Sequence, residues 1–175
     1  MTKTRKRNAK QEAQRILAEH SVRSAPVGVE RIARALGASL EVRPLDEQLS
    51  GMIFIKAGVP VIGVNALHHP HRQRFTIGHE VGHLVLHRDR LEGVVHVDKT
   101  YPMLRRDQAS STGVDLMEIE ANAFAAELLM PEALLEGELT TPLDVDDEER
   151  LTALSRKFKV STSAMRYRLI GYFFE

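Results

Sequence analysis

The chain has 175 residues, contains no cysteine, and balances 24 lysines and arginines against 24 aspartates and glutamates. The length suits one compact domain with room for a small helical appendage, and the missing cysteines exclude disulfides, thiolate metal ligands and a cysteine nucleophile. Zero net charge argues against a nucleic acid or an anionic membrane as the partner of the whole surface. No apolar stretch long enough for a signal peptide or a membrane span follows the basic start, so we expect a cytoplasmic protein.

Two helices are predicted for the first part of the chain. A basic run over residues 3–10 comes first and is expected to be a solvated tail, as most terminal charge runs are. Apolar residues then recur at helical spacing over residues 11–20 and again over residues 27–36, where Gly37 follows as a natural C-terminal cap. Both helices should therefore turn one apolar face toward the core.

Short segments rich in β-branched residues predict strands at residues 40–42, 52–55 and 59–64. The break at residues 56–58 has the composition of a hairpin turn between the last two. The sheet is therefore expected to be small and antiparallel.

The second half of the chain predicts further helices on either side of a long loop. A helix is expected over residues 70–88, where Pro70 suits the first turn. The polar segment at residues 89–113 interrupts the periodicity, and a loop of this length is more often a functional cover or a mobile segment than a plain connector. Apolar periodicity returns over residues 115–130 and ends at Pro131.

After an acidic stretch at residues 144–149, the chain ends in two shorter predicted helices, residues 148–158 and 161–170, with the apolar spacing of a helix-turn-helix. Positive charge near these helices comes from Arg156, Lys157, Lys159, Arg166 and Arg168. The acidic stretch offsets that charge and the pair lacks a third supporting helix of its own, so packing is favoured over DNA contact. We expect an α+β domain at residues 1–140 and a helical extension packed on it at residues 141–175.

The helix predicted over residues 70–88 carries the motif His-Glu-x-x-His at His79, Glu80 and His83. Residues four apart share one helical face, so both imidazoles can bind the same zinc ion. Glu80 would then lie beside the metal rather than on it. Zinc lowers the pKa of bound water to roughly 7, and a neighbouring carboxylate can take the proton as the resulting hydroxide attacks a carbonyl. The spacing therefore predicts a hydrolytic zinc site with Glu80 as its general base.

A catalytic zinc site usually has three protein ligands and one open position, so a third ligand is needed. The zinc-protease variant with a glycine and a histidine further along the same helix is excluded, because this chain has Leu86 and Asp89 at those positions. His87 continues the four-residue series but drifts off the face of a straight helix, which favours a contact with a ligand or a surface position over ligation. A carboxylate from another helix is the better candidate.

Two glutamates of the helix predicted over residues 115–130 could supply that carboxylate. Glu118 shares its face with Asn122 and with small or apolar residues, which would allow a close approach to the motif helix. Glu120 aligns instead with Glu127 along the face that we expect to be more exposed to solvent. Glu118 is therefore favoured as the third ligand and Glu120 stays open as the alternative. Asn122 is a plausible hydrogen-bond partner for Glu118 or for a ligand histidine.

Three segments are specific in combination: residues 72–76, the motif at residues 79–83 with residues 84–87 behind it, and the block at residues 118–131, which ends in Ala-Asn-x-Phe-Ala-Ala-Glu-Leu-Leu-Met-Pro. Together they resemble the ImmA/IrrE family of metallo-endopeptidases, and weaker similarity extends over nearly the whole chain. The resemblance implies a zincin-like fold, a zinc cofactor and a glutamate third ligand matching Glu118. It also implies a partner protein as substrate, often a helix-turn-helix repressor cleaved during stress or mobile-element induction.

Two other functions stay open. The chain could bind a metal and sequester a regulatory protein without hydrolysis, although the intact Glu80 argues against this. It could also contact DNA through its C-terminal helices, which would require salt-sensitive duplex binding that survives loss of the metal. The residue that stabilises the oxyanion is not assigned, but His96, Tyr101 and Arg106 of the predicted loop are the polar groups most able to reach a carbonyl.

Overall fold

The computed structural model describes residues 2–99, 113–139 and 147–174. Within these ranges the helices are α1 (Thr2–Glu19), α2 (Val29–Ala35), α3 (Pro70–Leu86), α4 (Gly113–Leu129), α5 (Glu132–Glu138), α6 (Glu148–Phe158) and α7 (Thr162–Phe174). The strands there are β1 (Ser39–Arg43), β2 (Leu49–Lys56), β3 (Val59–Asn65) and β4 (His96–Lys99). The chain thus has a mixed α+β fold. None of the helices in the described ranges is long and apolar enough to cross a membrane.

The four strands form one sheet in the order β1-β3-β2-β4. β2 pairs antiparallel with β3 across a turn at Ala57 and Gly58, both of which have positive φ, and antiparallel with β4 on its other side. β1 pairs parallel with β3. The expectation of a small antiparallel sheet therefore holds for two of the three strand pairings and is wrong for β1, which lies beside β3 rather than beside the strand that follows it in the sequence.

A buried asparagine anchors the loop between β1 and β2, the two strands that flank β3 in the sheet. Asn65, the last residue of β3, is fully buried. Its amide donates to the carbonyls of Asp46 and Leu49 at 3.1 and 2.8 Å, and its Oδ1 accepts from the N–H groups of Leu45 and Leu67 at 3.2 and 3.0 Å. One side chain thus uses its full hydrogen-bonding capacity to tie the β1–β2 loop to the end of β3.

α3 packs against the sheet on one side and against α4 on the other. Two glycines of α3 face α4: a Cβ at Gly82 would lie 3.1 Å from the Cα of Ala121, and one at Gly78 would lie 3.5 Å from the Cβ of Ala125. A glycine inside a helix typically costs about 1 kcal/mol relative to alanine, and here it permits a backbone approach that alanine would obstruct at position 82. The buried middle of α3 is therefore held tightly against α4.

Three elements differ from the sequence expectations. α1 begins at Thr2, so the basic run is helical rather than a tail, because Ala9 and Ala13 extend the buried face of the helix toward the start of the chain. β4 lies inside the segment predicted as a loop, and α5 follows Pro131 directly. The predicted domain boundary at residue 140 falls outside the described residues and stays a prediction.

A buried ion pair joins α7 to α4. The side chains of Arg168 and Glu127 are 5% and 1% exposed, and Arg168 Nη2 donates to Glu127 Oε2. Arg168 Nε also donates to the carbonyl of Met130, while Glu127 Oε1 accepts from Gln14 Nε2 and from the N–H of Glu132, all three at 3.1 Å. The suggestion that Glu127 lies on a solvent-exposed face is therefore wrong. Glu127 can be buried because Arg168 compensates its negative charge.

Removing the arginine from this pair is expected to destabilise the chain strongly. Arg168→Met would leave the charge of Glu127 buried without its partner, a change that typically costs about 3–5 kcal/mol. Arg166→Met is a matched control because Arg166 pairs with Glu148, whose side chain is 71% exposed, and surface pairs contribute about 1 kcal/mol or less. Urea unfolding of chelator-treated protein measures both changes, and equal losses in the two variants would contradict the buried-pair argument.

Candidate metal centre

The buried middle of α3 brings two imidazoles together. His79 and His83 lie one helical turn apart and are both buried. Their Nε2 atoms are 3.0 Å apart, and their ring planes meet at 77°. The two rings therefore point their free nitrogens at one small volume.

α4 places a carboxylate at the same volume. Glu118 Oε2 lies 3.1 Å from His79 Nε2, and Glu118 Oε1 lies 3.3 Å from His83 Nε2. Glu120 lies elsewhere, with Oε2 3.0 Å from His87 Nε2. Of the two glutamates weighed from the sequence, Glu118 is thus the one next to the two motif histidines.

The hydrogen bond between His79 Nδ1 and Asn122 indicates that the space between His79 and Glu118 favours a positive charge. Asn122 Oδ1 lies 3.1 Å from His79 Nδ1 and can only accept, so His79 Nδ1 carries a proton. In a neutral ring the lone pair of His79 Nε2 then faces the Glu118 carboxylate at 3.1 Å. Two acceptors at this distance are favourable only with a proton or a cation between them. The donor set of two imidazoles and one carboxylate therefore fits a divalent metal ion.

The pKa values of His79, His83 and Glu118 also indicate that the site favours one positive charge. Burial lowers the pKa of His79, but the hydrogen bond with Glu118 and the charges of Glu80 and Glu118 raise it to about 9. For His83 burial prevails and lowers the pKa to about 4. Burial acts to raise the pKa of Glu118, yet hydrogen bonds from the surrounding imidazoles hold it far below its usual range. A metal ion can therefore take the place of one proton on His79 beside an already ionised carboxylate.

Glu80 is buried next to this group without a hydrogen-bond partner for either carboxylate oxygen among the described residues. The backbone of β2 makes room for it, since a Cβ at Gly51 would lie 3.1 Å from Glu80 Oε1. Burial raises the pKa of Glu80 to about 8. A carboxyl group whose pKa lies near neutrality can both take up and release a proton under physiological conditions.

β4 adds two further side chains on its inner face. His96 Nε2 lies 2.9 Å from Glu118 Oε1, and its ring centroid lies 4.2 Å from that of His83. Asp98 shares the strand face, and its carboxylate lies within 4.8 Å of ligand atoms of His79 and Glu80. Burial raises the pKa of Asp98.

Sequence reasoning named His96 but missed Asp98. The available signal was their spacing of two residues within a run of valines, which is the alternation of a strand. Tyr101 and Arg106, the other two groups considered for the oxyanion, lie outside the described residues.

Comparisons with known proteins show the family and the fold of the chain. The family described as the IrrE N-terminal-like domain, peptidase family M78, matches residues 33–170 of the chain. A solved structure described as a Mycobacterium tuberculosis transcriptional regulator has a similar fold, with a TM-score of 0.60 and 17% identity. That match covers 93% of this chain and 47% of the other, so this chain spans about half the length of that protein. No curated protein matches the sequence. Because the family match covers most of the chain, including the motif helix and α4, the protein belongs to the IrrE N-terminal-like family of metallopeptidases.

Proposed function

We propose that the chain is a zinc-dependent endopeptidase in which His79, His83 and Glu118 bind the metal. The observation that carries this proposal is the convergence of His79 Nε2, His83 Nε2 and the Glu118 carboxylate at separations of 3.0 to 3.3 Å. Such a set leaves one coordination position open, as catalytic zinc sites do. Zinc held there would acidify water and polarise a substrate carbonyl.

Glu80 is proposed as the general base that takes the proton of the attacking water and later gives it to the leaving amine. Its position on the turn between the two histidines places it beside the donor set, and its carboxylate is buried and unpaired among the described residues. Burial raises the pKa of Glu80, the charge of His79 lowers it, and the charges of Asp98 and Glu118 raise it.

His96 is included in the proposal as a donor to the carbonyl oxygen of the substrate. What supports this role is that His96 Nε2 lies 2.9 Å from Glu118 Oε1. Its N–H would have to turn from Glu118 to the substrate oxygen, where a donor to a developing negative charge would stabilise the transition state more than the ground state. The roles of Tyr101 and Arg106 stay predictions.

The substrate is proposed to be a partner protein, and more narrowly a helix-turn-helix transcriptional regulator cleaved in a stress response or in mobile-element control. Membership in a peptidase family implies a protein substrate. The narrower assignment rests on the family resemblance, and the similar solved structure is itself described as a transcriptional regulator.

Direct DNA binding by the C-terminal helices is the weaker alternative. Of the five basic residues considered for this role, Arg168 is buried in its pair with Glu127. Lys157 and Arg166 pair with Glu138 and Glu148 respectively. Most of the positive charge expected to reach a phosphate backbone is therefore matched by carboxylates of the same chain.

The proposal is tested by looking for new peptide termini. Extract of the cells that make the protein is incubated with the zinc-loaded chain or with chelator-treated chain, and N-terminal labelling with mass spectrometry identifies the bonds cleaved. We expect one or a few proteins to gain new termini only with zinc. An absence of zinc-dependent termini over a scan of free zinc concentrations would contradict the endopeptidase proposal.

The identity of the third ligand has its own test. Glu118→Gln is expected to weaken zinc binding at least about tenfold more than Glu120→Gln, because removing a ligand should exceed the 10- to 100-fold loss typical of an outer hydrogen-bond partner. Zinc titration against a competing chelator measures both. Equal or reversed losses would assign the ligand to Glu120 instead.

A further inference from the structure

Behind His83, on the side away from Glu118, lies a second hydrogen-bonded pair that belongs to neither the ligand set nor the proposed base. His87 Nδ1 lies 3.3 Å from His83 Nδ1, and His87 Nε2 lies 3.0 Å from Glu120 Oε2. Arg5 of α1 reaches the other oxygen of Glu120 at 3.4 Å. We propose that His87 and Glu120, named here the His87–Glu120 pair, position His83 for metal binding by fixing where its proton lies. This inference rests on the proposed zinc site.

The direction of each hydrogen bond follows from what each group can do. The Glu120 carboxylate only accepts, so His87 carries a proton on Nε2. A neutral His87 ring then has its lone pair on Nδ1, where it can only accept a hydrogen bond. His83 must therefore carry its proton on Nδ1, which leaves His83 Nε2 with the lone pair that faces His79 and Glu118.

The opposite proton arrangement is disfavoured by the same carboxylate. If His83 carried its proton on Nε2, its Nδ1 would need a donor from His87, and a neutral His87 would then turn the lone pair of Nε2 toward Glu120 at 3.0 Å. Such a contact between two acceptors is repulsive. Glu120 thus selects the tautomer of a residue it does not touch, by acting through His87.

Burial makes this selection effective. The side chains of His87 and Glu120 are only 9% and 14% exposed, and His83 is fully buried, so water competes poorly for these hydrogen bonds. The two proposed ligand histidines also differ: Asn122, a neutral amide, accepts from His79, whereas an imidazole backed by a carboxylate stands behind His83. A negative charge behind an imidazole raises its basicity as a ligand.

A positioning role can be separated from simple packing by choosing what occupies position 87. His87→Phe keeps a ring of similar size but removes the acceptor, and His87→Asn keeps an acceptor oxygen near the place of Nδ1. Glu120→Gln keeps the shape of the carboxylate but can turn a donor toward His87, so the preference for one tautomer is lost. Arg5→Met is the control, because Arg5 is half exposed and its contact with Glu120 is long.

The experiment measures zinc affinity by chelator competition on the full chain and the unfolding midpoint of each chelator-treated variant. We expect His87→Phe and Glu120→Gln to bind zinc about 10- to 100-fold more weakly, with His87→Asn intermediate between His87→Phe and wild type. Arg5→Met should bind within about twofold of wild type, since exposed pairs contribute little. The ¹⁵N-edited NMR spectrum of the zinc-loaded wild type should show a proton on His83 Nδ1, and the chemical shift of that proton should change in zinc-loaded His87→Phe.

Two outcomes would separate this inference from the proposed function. A wild-type chain that binds no zinc would overturn the zinc site and the role of the pair together. Tight wild-type binding that both His87→Phe and Glu120→Gln leave unchanged would overturn the role of the pair alone. If His87→Phe does not fold, Glu120→Gln decides, since it leaves the volume at both positions unaltered.

Discussion

Alanine at position 79 or at position 83 is expected to reduce zinc content from about one ion per chain to none after dialysis. Each change removes one of only three proposed protein ligands. The side chain it removes is buried and lies directly beside the other two. Zinc binding to a complete ligand set contributes on the order of 10 kcal/mol or more, and a two-ligand remnant loses most of that.

The matched control for this loss is His71→Ala. His71 lies in the first turn of α3, on the same helix but away from the donor set, and its ring stacks edge-on against His69. It should keep full zinc content. Elemental analysis of the three variants and the wild type measures the zinc content per chain. Full zinc occupancy in both His79→Ala and His83→Ala would contradict the proposed metal site.

The part of the site carried by one helix was accessible from the sequence because helical geometry is local. The spacing of His79 and His83 places them on one face in any α-helix, and the structure brings their Nε2 atoms to 3.0 Å. The small residues around Glu118 were a further guide, because glycines of α3 meet Ala121 and Ala125 of α4. A close approach of two helices can thus be inferred when small residues recur on both of them.

Contacts that depend on distant pairing were not accessible in this way. β4 has four residues, two of which carry a charged or imidazole side chain at the site, and it is a strand because it pairs with β2 more than 40 positions earlier. The alternation of His96 and Asp98 with valines is too short a signal to distinguish a strand from a polar loop without knowledge of that partner. The burial of Glu127 similarly depends on Arg168, which lies in the last helix. Sequence periodicity indicates which face of a helix or strand is apolar. It does not indicate which charged residue from a distant part of the sequence will pack against that element.

Glu80→Gln is expected to keep zinc, fold and partner binding while slowing cleavage by about 10² to 10⁴, the usual loss when a general base is removed. Glutamine has nearly the same shape as glutamate, so it fits the space beside Gly51. Its amide cannot take a proton from water. Mass spectrometry of the partner after incubation with zinc-loaded wild type and variant measures the rate at which new termini form, and elemental analysis verifies equal zinc content. If wild type and Glu80→Gln bind the partner equally and neither releases a peptide at any free zinc concentration, the chain sequesters its partner rather than cleaving it.

The same substitution has a consequence for stability that is independent of any substrate. Burial raises the pKa of Glu80 to about 8, whereas an unfolded glutamate titrates near 4.5. Between these two values the folded chain holds a proton that the unfolded chain has released, so this group lowers the stability of the folded state progressively as the pH rises from about 4.5 to 8. Glutamine has no such proton, so chelator-treated Glu80→Gln should gain stability relative to wild type between pH 5 and pH 8 in urea unfolding. A constant difference across this range would show that Glu80 is not held in a proton-retaining environment.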